Sequence, residues 1–340
     1  MKKVRLLIIL LVCALLFAAC GKAPAQTQST APTSTVSTTD STPSQNTDSS
    51  SDQTSNPNPY TSSNQIQSTV SSTHWKDDDT LRILAIGNSF SIDSLEYVYQ
   101  IALSAGVKKV SLGNLYIPGC SLDMHAANAK KNQSAYEYFT NNNGSCSSSP
   151  DYKISNALLS QKWDFVVLQQ VSGSSGVAAT YAQLDYLVNY IKMLCPNTKV
   201  VWNMTWAYQQ NSTHGDFVRY NKDQMTMYNA ILNAVAQCVS SHKDIFTVIP
   251  TGTAIQNART SYIGDNLTRD GFHLSLDFGR YVAGMTFVHK LTGLSVKNVK
   301  YMPAGVDDTM RKIAIESATN AVKKPTGVTN SAHTQAPNLD

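Results

Sequence analysis

The sequence predicts an α/β fold built on a parallel sheet of five strands with helices covering both faces. Five short runs, at residues 81–87, 110–117, 165–169, 199–205 and 245–249, are aliphatic or β-branched almost throughout, as suits strands buried on both sides. Amphipathic stretches of helical length lie among them at 93–105, 181–194 and 220–240, with two more at 275–291 and 308–322 after the last run. Strand and helix therefore alternate, the pattern of a parallel sheet with crossover helices. Ligands of such sheets sit beyond the carboxyl ends of the strands, so chemistry is expected in the loops that follow the five runs.

The whole chain has 340 residues, 42% of them hydrophobic and 15% charged, which excludes wholesale disorder, a collagen-like rod and a multi-span membrane protein. Its residues are unevenly distributed. Lys2, Lys3 and Arg5 precede an apolar run of 14 residues, 6–19, shorter than the ~20 that span a bilayer as a helix. Residues 1–19 read as a signal peptide, and the protein as extracytoplasmic. The run ends in Phe17-Ala18-Ala19-Cys20-Gly21, which resembles the lipobox of bacterial lipoproteins. The resemblance implies that Cys20 is acylated and becomes the mature N-terminus, so that lipid alone holds the protein to the membrane.

From residue 21 to 76, Ser and Thr make up 26 of 56 positions and large apolar side chains are scarce. Such a stretch cannot offset the entropy of ordering itself. Residues 20–76 are therefore expected to be a disordered tether, with a root-mean-square reach of roughly 40 Å at ~5–6 Å × √n. One folded domain, 77–324, and a disordered polar tail, 325–340, complete the chain. Residues 77–340 carry a net charge of only +2, which offers no basic stripe to a nucleic acid; a monomer is expected. Outside the cytoplasm Cys120, Cys146, Cys195 and Cys238 are free to pair in three ways. Cys120–Cys146 with Cys195–Cys238 is the working expectation. No Cys/His spacing suggests zinc, and neither metal nor cofactor is expected.

Two loops carry chemistry. The first run leads into Ile86-Gly87-Asn88-Ser89-Phe90, where a sharp turn sets a hydroxyl at a helix start whose N–H groups suit an oxyanion. Asp93, with Glu96 three residues on, reads as a helix cap rather than a catalytic group. After the last run comes Thr268-Arg269-Asp270-Gly271-Phe272-His273. An acid and an imidazole three residues apart on a turn can face one side, the carboxylate holding the ring in one tautomer and the ring activating a serine.

Gly87-Asn88-Ser89, Gly119 within Ile117-Pro118-Gly119-Cys120-Ser121, and Asp270-x-x-His273 resemble the first, second and fifth blocks of the SGNH or GDSL-type hydrolases. The strings ILAIGNSFSID (83–93), IPGCSLDMH (117–125), VVLQQVSG (166–173) and RDGFHLSLDFGRY (269–281) are similar to a bacterial SGNH-like family, domain of unknown function 4886, over most of residues 80–293. The resemblance implies a three-layer αβα sandwich of flavodoxin-like type and ester hydrolysis, often of acetyl groups on carbohydrate. It makes Ser89 the nucleophile, His273 its general base and then acid, and Asp270 the group orienting His273. The backbone N–H groups of Ser89 and Gly119 would form part of the oxyanion hole. Where those hydrolases carry Gly-x-Asn-Asp, this chain has Leu168-Gln169-Gln170-Val171-Ser172, so the amide of Gln169 or Gln170 is expected to stand in for the asparagine.

Other polar residues carry two readings each. His125 either enters the site or lies on a helix surface, the latter favoured. Trp206, with Trp202 and Tyr208, either stacks on a sugar ring or packs in the core. His214 and His242 have no partner at triad or metal spacing. The expected function is a surface-anchored serine esterase that removes O-acetyl or other short acyl groups from glycans. A lipid or aryl ester hydrolase and a non-catalytic glycan-binding lipoprotein on a degenerate fold are the alternatives.

Overall fold

A computed structural model describes residues 74–337; the expected signal peptide, Cys20 and nearly all of the tether lie outside the described residues. Seven strands form one sheet: β1 (Thr80–Gly87), β2 (Lys109–Tyr116), β3 (Tyr136–Asn142), β4 (Ser145–Tyr152), β5 (Phe165–Leu168), β6 (Lys199–Asn203) and β7 (Ile245–Ile249), in the order β4-β3-β2-β1-β5-β6-β7. The five expected strands are the parallel ones, β2, β1, β5, β6 and β7. The expected strand count falls short because β3 and β4 add an antiparallel hairpin beyond β2. β4, Ser-Cys-Ser-Ser-Ser-Pro-Asp-Tyr, is mostly exposed, so it lacks the apolar run by which a buried strand is recognised.

The nine α-helices of the described residues are α1 (Ser89–Leu95), α2 (Val98–Ser104), α3 (Leu122–Lys130), α4 (Ile154–Leu159), α5 (Leu184–Leu194), α6 (Gln224–Cys238), α7 (Thr251–Arg259), α8 (Phe278–Thr292) and α9 (Asp308–Lys323). α1, α2, α7 and α9 pack around α8, while α3, α4 and α5 pack on one another. The helix expected at 93–105 instead starts at Ser89 and breaks into α1 and α2. Asn88 caps α1, its side-chain oxygen accepting from Phe90 N at 3.0 Å. Asp93 is therefore not a cap: it lies inside α1 and is fully buried.

Two expected boundaries move. Trp75, placed in the tether by composition, is 6% exposed and belongs to the hydrophobic core. The segment after Lys324, expected to be a disordered tail, is tied to α7 and α9: Thr329 N donates to Asn257 Oδ1 at 2.7 Å, Ser331 N to Thr260 Oγ1 at 2.7 Å, and Ala332 N to Glu316 Oε1 at 3.0 Å. The expected disulfides are absent, since Cys120, Cys146, Cys195 and Cys238 all remain thiols. Cys120 is buried beside His125 beyond β2, whereas Cys146 lies on β4 opposite Asn141. Cys195 Sγ meets the Leu158 carbonyl and Cys238 Sγ that of Ala178. Among the described residues no helix is long and apolar enough to cross a membrane.

Candidate active site

β1 delivers the chain to the carboxyl edge of the sheet, at the point where strand order reverses between β2 and β5, the place where open α/β sheets bind ligands. Gly87 is required there, because a Cβ would lie 2.6 Å from Ser91 Oγ. Ser91 Oγ is itself fixed between two acceptors for its one proton, Asn88 O at 2.7 Å and Asn114 Oδ1 at 2.8 Å. Ser89, the first residue of α1, is left half-buried with its hydroxyl at the edge.

The second part of the site is a tight turn closed by a bridge between Thr268 and Leu274. Asp270 organises it, Oδ1 accepting from His273 N at 2.8 Å and Phe272 N at 3.2 Å. Asp270 Oδ2 lies 2.7 Å from His273 Nδ1, and His273 Nε2 lies 2.7 Å from Ser89 Oγ. Ser89, Asp270 and His273 are thus brought together across 184 residues of chain. Burial opposes ionisation of Asp270, but hydrogen bonds from the His273 ring and from backbone N–H groups outweigh it and hold the carboxyl at about 2. An ionised Asp270 accepts a hydrogen bond from the Nδ1–H, which keeps the proton on Nδ1 and leaves Nε2 as an acceptor for the serine hydroxyl.

The turn is held by buried groups. Asp93 Oδ2 accepts from Leu274 N at 2.9 Å, and Oδ1 from Arg269 Nη1 at 3.0 Å and Arg280 Nε at 2.8 Å. Trp206 donates its indole N–H to Phe272 O at 2.7 Å and stacks on Phe90, ring centroids 4.1 Å apart. It is fully buried. Trp206 therefore supports the turn from the core and offers no face to a sugar; Trp202 and Tyr208 are buried as well.

Gly119 lies in the loop after β2, next to Cys120, whose carbonyl accepts from the side chain of Asn88 at 3.0 Å. Its φ of +61° is left-handed, where glycine is favoured, and the space where a Cβ would stand is open. Among the described residues neither the Ser89 nor the Gly119 backbone N–H is spent on a hydrogen bond. The glutamines are placed otherwise than expected. Gln170 Nε2 donates to Thr180 O at 2.8 Å and Thr180 Oγ1 at 3.0 Å, while Oε1 accepts from the N–H groups of Leu122 and Val171. Its amide has no proton left for an oxyanion. Gln169 is buried and donates to Asn88 Oδ1 at 3.0 Å.

His125 is neither on a surface nor in the site. It is fully buried on α3, with Nδ1 2.9 Å from Tyr136 Oη and 3.4 Å from Cys120 Sγ. Burial pushes its imidazole down to about 3 and the Cys120 thiol up to about 12, so both stay neutral. His214, which showed no partner in sequence, is folded back toward the site: its ring packs on Phe272 at 4.6 Å, and Phe272 packs on His273 at 4.0 Å. Burial lowers its proton affinity, His273 adds to the lowering, and Asp216 and Asp270 oppose it. Nothing local marked it, because 59 residues separate it from His273. Among the described residues no group of three or more His, Cys, Asp or Glu is arranged to hold a metal.

No curated protein matches the chain. A solved structure of a DUF4886 family protein from Bacteroides uniformis ATCC 8492 is 40% identical, with a TM-score of 0.72 over 74% of this chain and 98% of that one. Two others are more distant. One, provisionally named an SGNH hydrolase, from Slackia heliotrinireducens, is 20% identical over 62% of this chain and 98% of its own, with a TM-score of 0.40. The other, provisionally named a GDSL-like lipase, from Parabacteroides merdae ATCC 43184, is 12% identical over 63% and 95%, with a TM-score of 0.41. The family model described as Domain of unknown function (DUF4886) matches residues 82–321, from β1 into α9 and across every residue of the site, and the chain belongs to that family.

Proposed function

We propose that the protein is a serine esterase that removes O-acetyl or other short acyl groups from carbohydrate, held outside the cytoplasm by lipid on Cys20. The observation that carries the reading is the unbroken contact from Asp270 Oδ2 to His273 Nδ1 and from Nε2 to Ser89 Oγ, each step 2.7 Å. A degenerate, purely binding site has no need of that spacing. Ser89 Oγ attacks the ester carbonyl while His273 Nε2 takes its proton. The oxyanion is met by the unspent N–H groups of Ser89 and Gly119, where loss of one donor costs ~2.7–4 kcal/mol. Collapse breaks the carbonyl carbon's bond to the alcohol oxygen, which leaves with the proton from His273. Water, deprotonated by the same nitrogen, then releases the acid and restores Ser89. Carbohydrate as the alcohol side follows from the family resemblance and the surface placement, since Trp206 contributes no stacking face.

The purified protein is expected to release p-nitrophenol from p-nitrophenyl acetate and free acetate from acetylated polysaccharide, and Ser89→Ala to abolish both. Equal rates for wild type and Ser89→Ala would remove Ser89 as nucleophile. Release from long-chain esters alone would move the substrate class to lipids.

A further inference from the structure

Four polar side chains at the carboxyl edge of the sheet are buried to 2% exposure or less: Asn88, Gln169, Asn203 and Thr251. Each stands at the end of a different parallel strand, and they form one chain of hydrogen bonds. Thr251 Oγ1, just past β7, donates to Asn203 Oδ1 at 2.7 Å; Asn203 Nδ2, the last residue of β6, donates to Gln169 Oε1 at 3.1 Å. Gln169 Nε2, just past β5, donates to Asn88 Oδ1 at 3.0 Å, and Asn88 Nδ2, just past β1, donates to the Cys120 carbonyl at 3.0 Å. That carbonyl lies in the loop beyond β2. The row therefore crosses all five parallel strands, with every donor pointing the same way. One branch runs from Asn203 Nδ2 to Ser94 Oγ on α1 at 3.2 Å.

Burying three amides and a hydroxyl is costly unless each is paired, and an apolar layer would join the strands without that cost. What the row adds is position. Its terminal bond ties the residue before Ser89 to the residue after Gly119, while Ile117 N reaches back to Gly87 O at 3.4 Å. The two loops so tied carry the two unspent N–H groups. The geometry points to Gln169, Asn203 and Thr251 as positioning residues that set the spacing of the Ser89 and Gly119 donors through Asn88, with Gln169 acting on the oxyanion hole through Asn88 rather than as a donor to it. Aligned hydrogen bonds polarise one another, so the far end of the row bears on the near end. The inference rests on the esterase reading above.

The test is Thr251→Val, a near-isosteric change four links from Ser89 that leaves Asn203 Oδ1 without its donor, with Thr251→Ser retaining the hydroxyl. On p-nitrophenyl acetate, Thr251→Val is expected to lower kcat roughly tenfold with KM within about twofold, since small misplacements cost up to about 10²-fold. Thr251→Ser stays within about twofold of wild type on the same grounds. Gln169→Met breaks the row at its middle and is expected to lower kcat further, and adding Thr251→Val to it should then change nothing more. Circular dichroism checks each fold, and Thr251→Ala carries the same expectation if valine is not accommodated. A folded Thr251→Val with wild-type kcat overturns the inference. Loss in Gln169→Met alone would make Gln169 a direct oxyanion donor, and multiplying losses in the double variant would make the two effects independent; either overturns it. A wild type that neither turns over the ester nor is labelled at Ser89 by a fluorophosphonate sinks the esterase reading itself, whereas an active wild type with an indifferent Thr251→Val sinks this inference alone.

Discussion

Asp270 is only half withdrawn from solvent, its side chain 40% exposed, yet its carboxyl is held at about 2. That places a permanent acceptor 2.7 Å from His273 Nδ1 throughout the neutral range. In Asp270→Asn the amide can turn its own N–H toward Nδ1, which favours the tautomer with a proton on Nε2 and nothing there to accept from Ser89. Steady-state turnover of p-nitrophenyl acetate is expected to fall by ~10²–10⁴-fold in kcat with little change in KM; a rise in KM alone would assign Asp270 to binding. The meeting of Ser89, Asp270 and His273 was legible in sequence because each lies in a short local string, Gly87-Asn88-Ser89 at the end of β1 and Asp270-x-x-His273 in the loop between α7 and α8. Gln170, Trp206 and His125 were not, because which way an amide points, or which face of a ring is covered, is decided by Thr180, Phe90 and Tyr136, none of them within eight residues of its partner.

Two helices are locked by charge. Arg280 on α8 reaches Asp93 within α1 at 2.8 Å and Glu96 at its C-terminal cap at 3.1 Å, and all three side chains are buried. Burial pushes the Glu96 carboxyl up to about 7, Arg280 pulling it down and Asp93 pushing it further up. Its unfolded value is 4.5, so between 4.5 and 7 the native state keeps a proton that the unfolded chain has released. Glu96 thus makes stability fall as pH rises through that window, by roughly 3 kcal/mol, and level off above it. Urea midpoints measured from pH 4.5 to 8 should show this slope in wild type and lose it in Glu96→Gln; parallel curves for the two would refute it. At this scale the sequence reading succeeded where burial was two-sided, as in Phe165-Val166-Val167-Leu168. It missed the β3–β4 hairpin, whose second strand, Ser145–Tyr152, is mostly exposed and has no apolar run. The signal present was Asn143-Gly144, both at positive φ, the pair that a two-residue hairpin turn requires.

For the whole molecule, composition divides the chain at Lys76 and Lys324, whereas packing divides it outside both. Trp75 is buried against the core although it sits among serines, and the segment beyond Lys324 is bound through Thr253 Oγ1 to Pro325 O at 2.6 Å and Tyr262 N to His333 O at 2.8 Å. A composition window averages over a single tryptophan, and backbone donors on a polar segment carry no compositional mark, so neither boundary was legible. Loss of a buried aromatic costs ~3–5 kcal/mol, and for a domain of this size each kcal/mol moves Tm by about 2–4 °C. A chain beginning at Asp77 is therefore expected to melt about 10 °C below one beginning at Gly21. A chain ending at Lys324 loses several hydrogen bonds of ~0.5–1.5 kcal/mol each, which share partners and do not sum, and is expected to melt a few degrees lower. Thermal melts of the four combinations separate the two ends. Equal Tm values across all four would return the domain limits to 77 and 324, and a loss confined to the shortened N-terminus would leave the tail bound without contributing to stability.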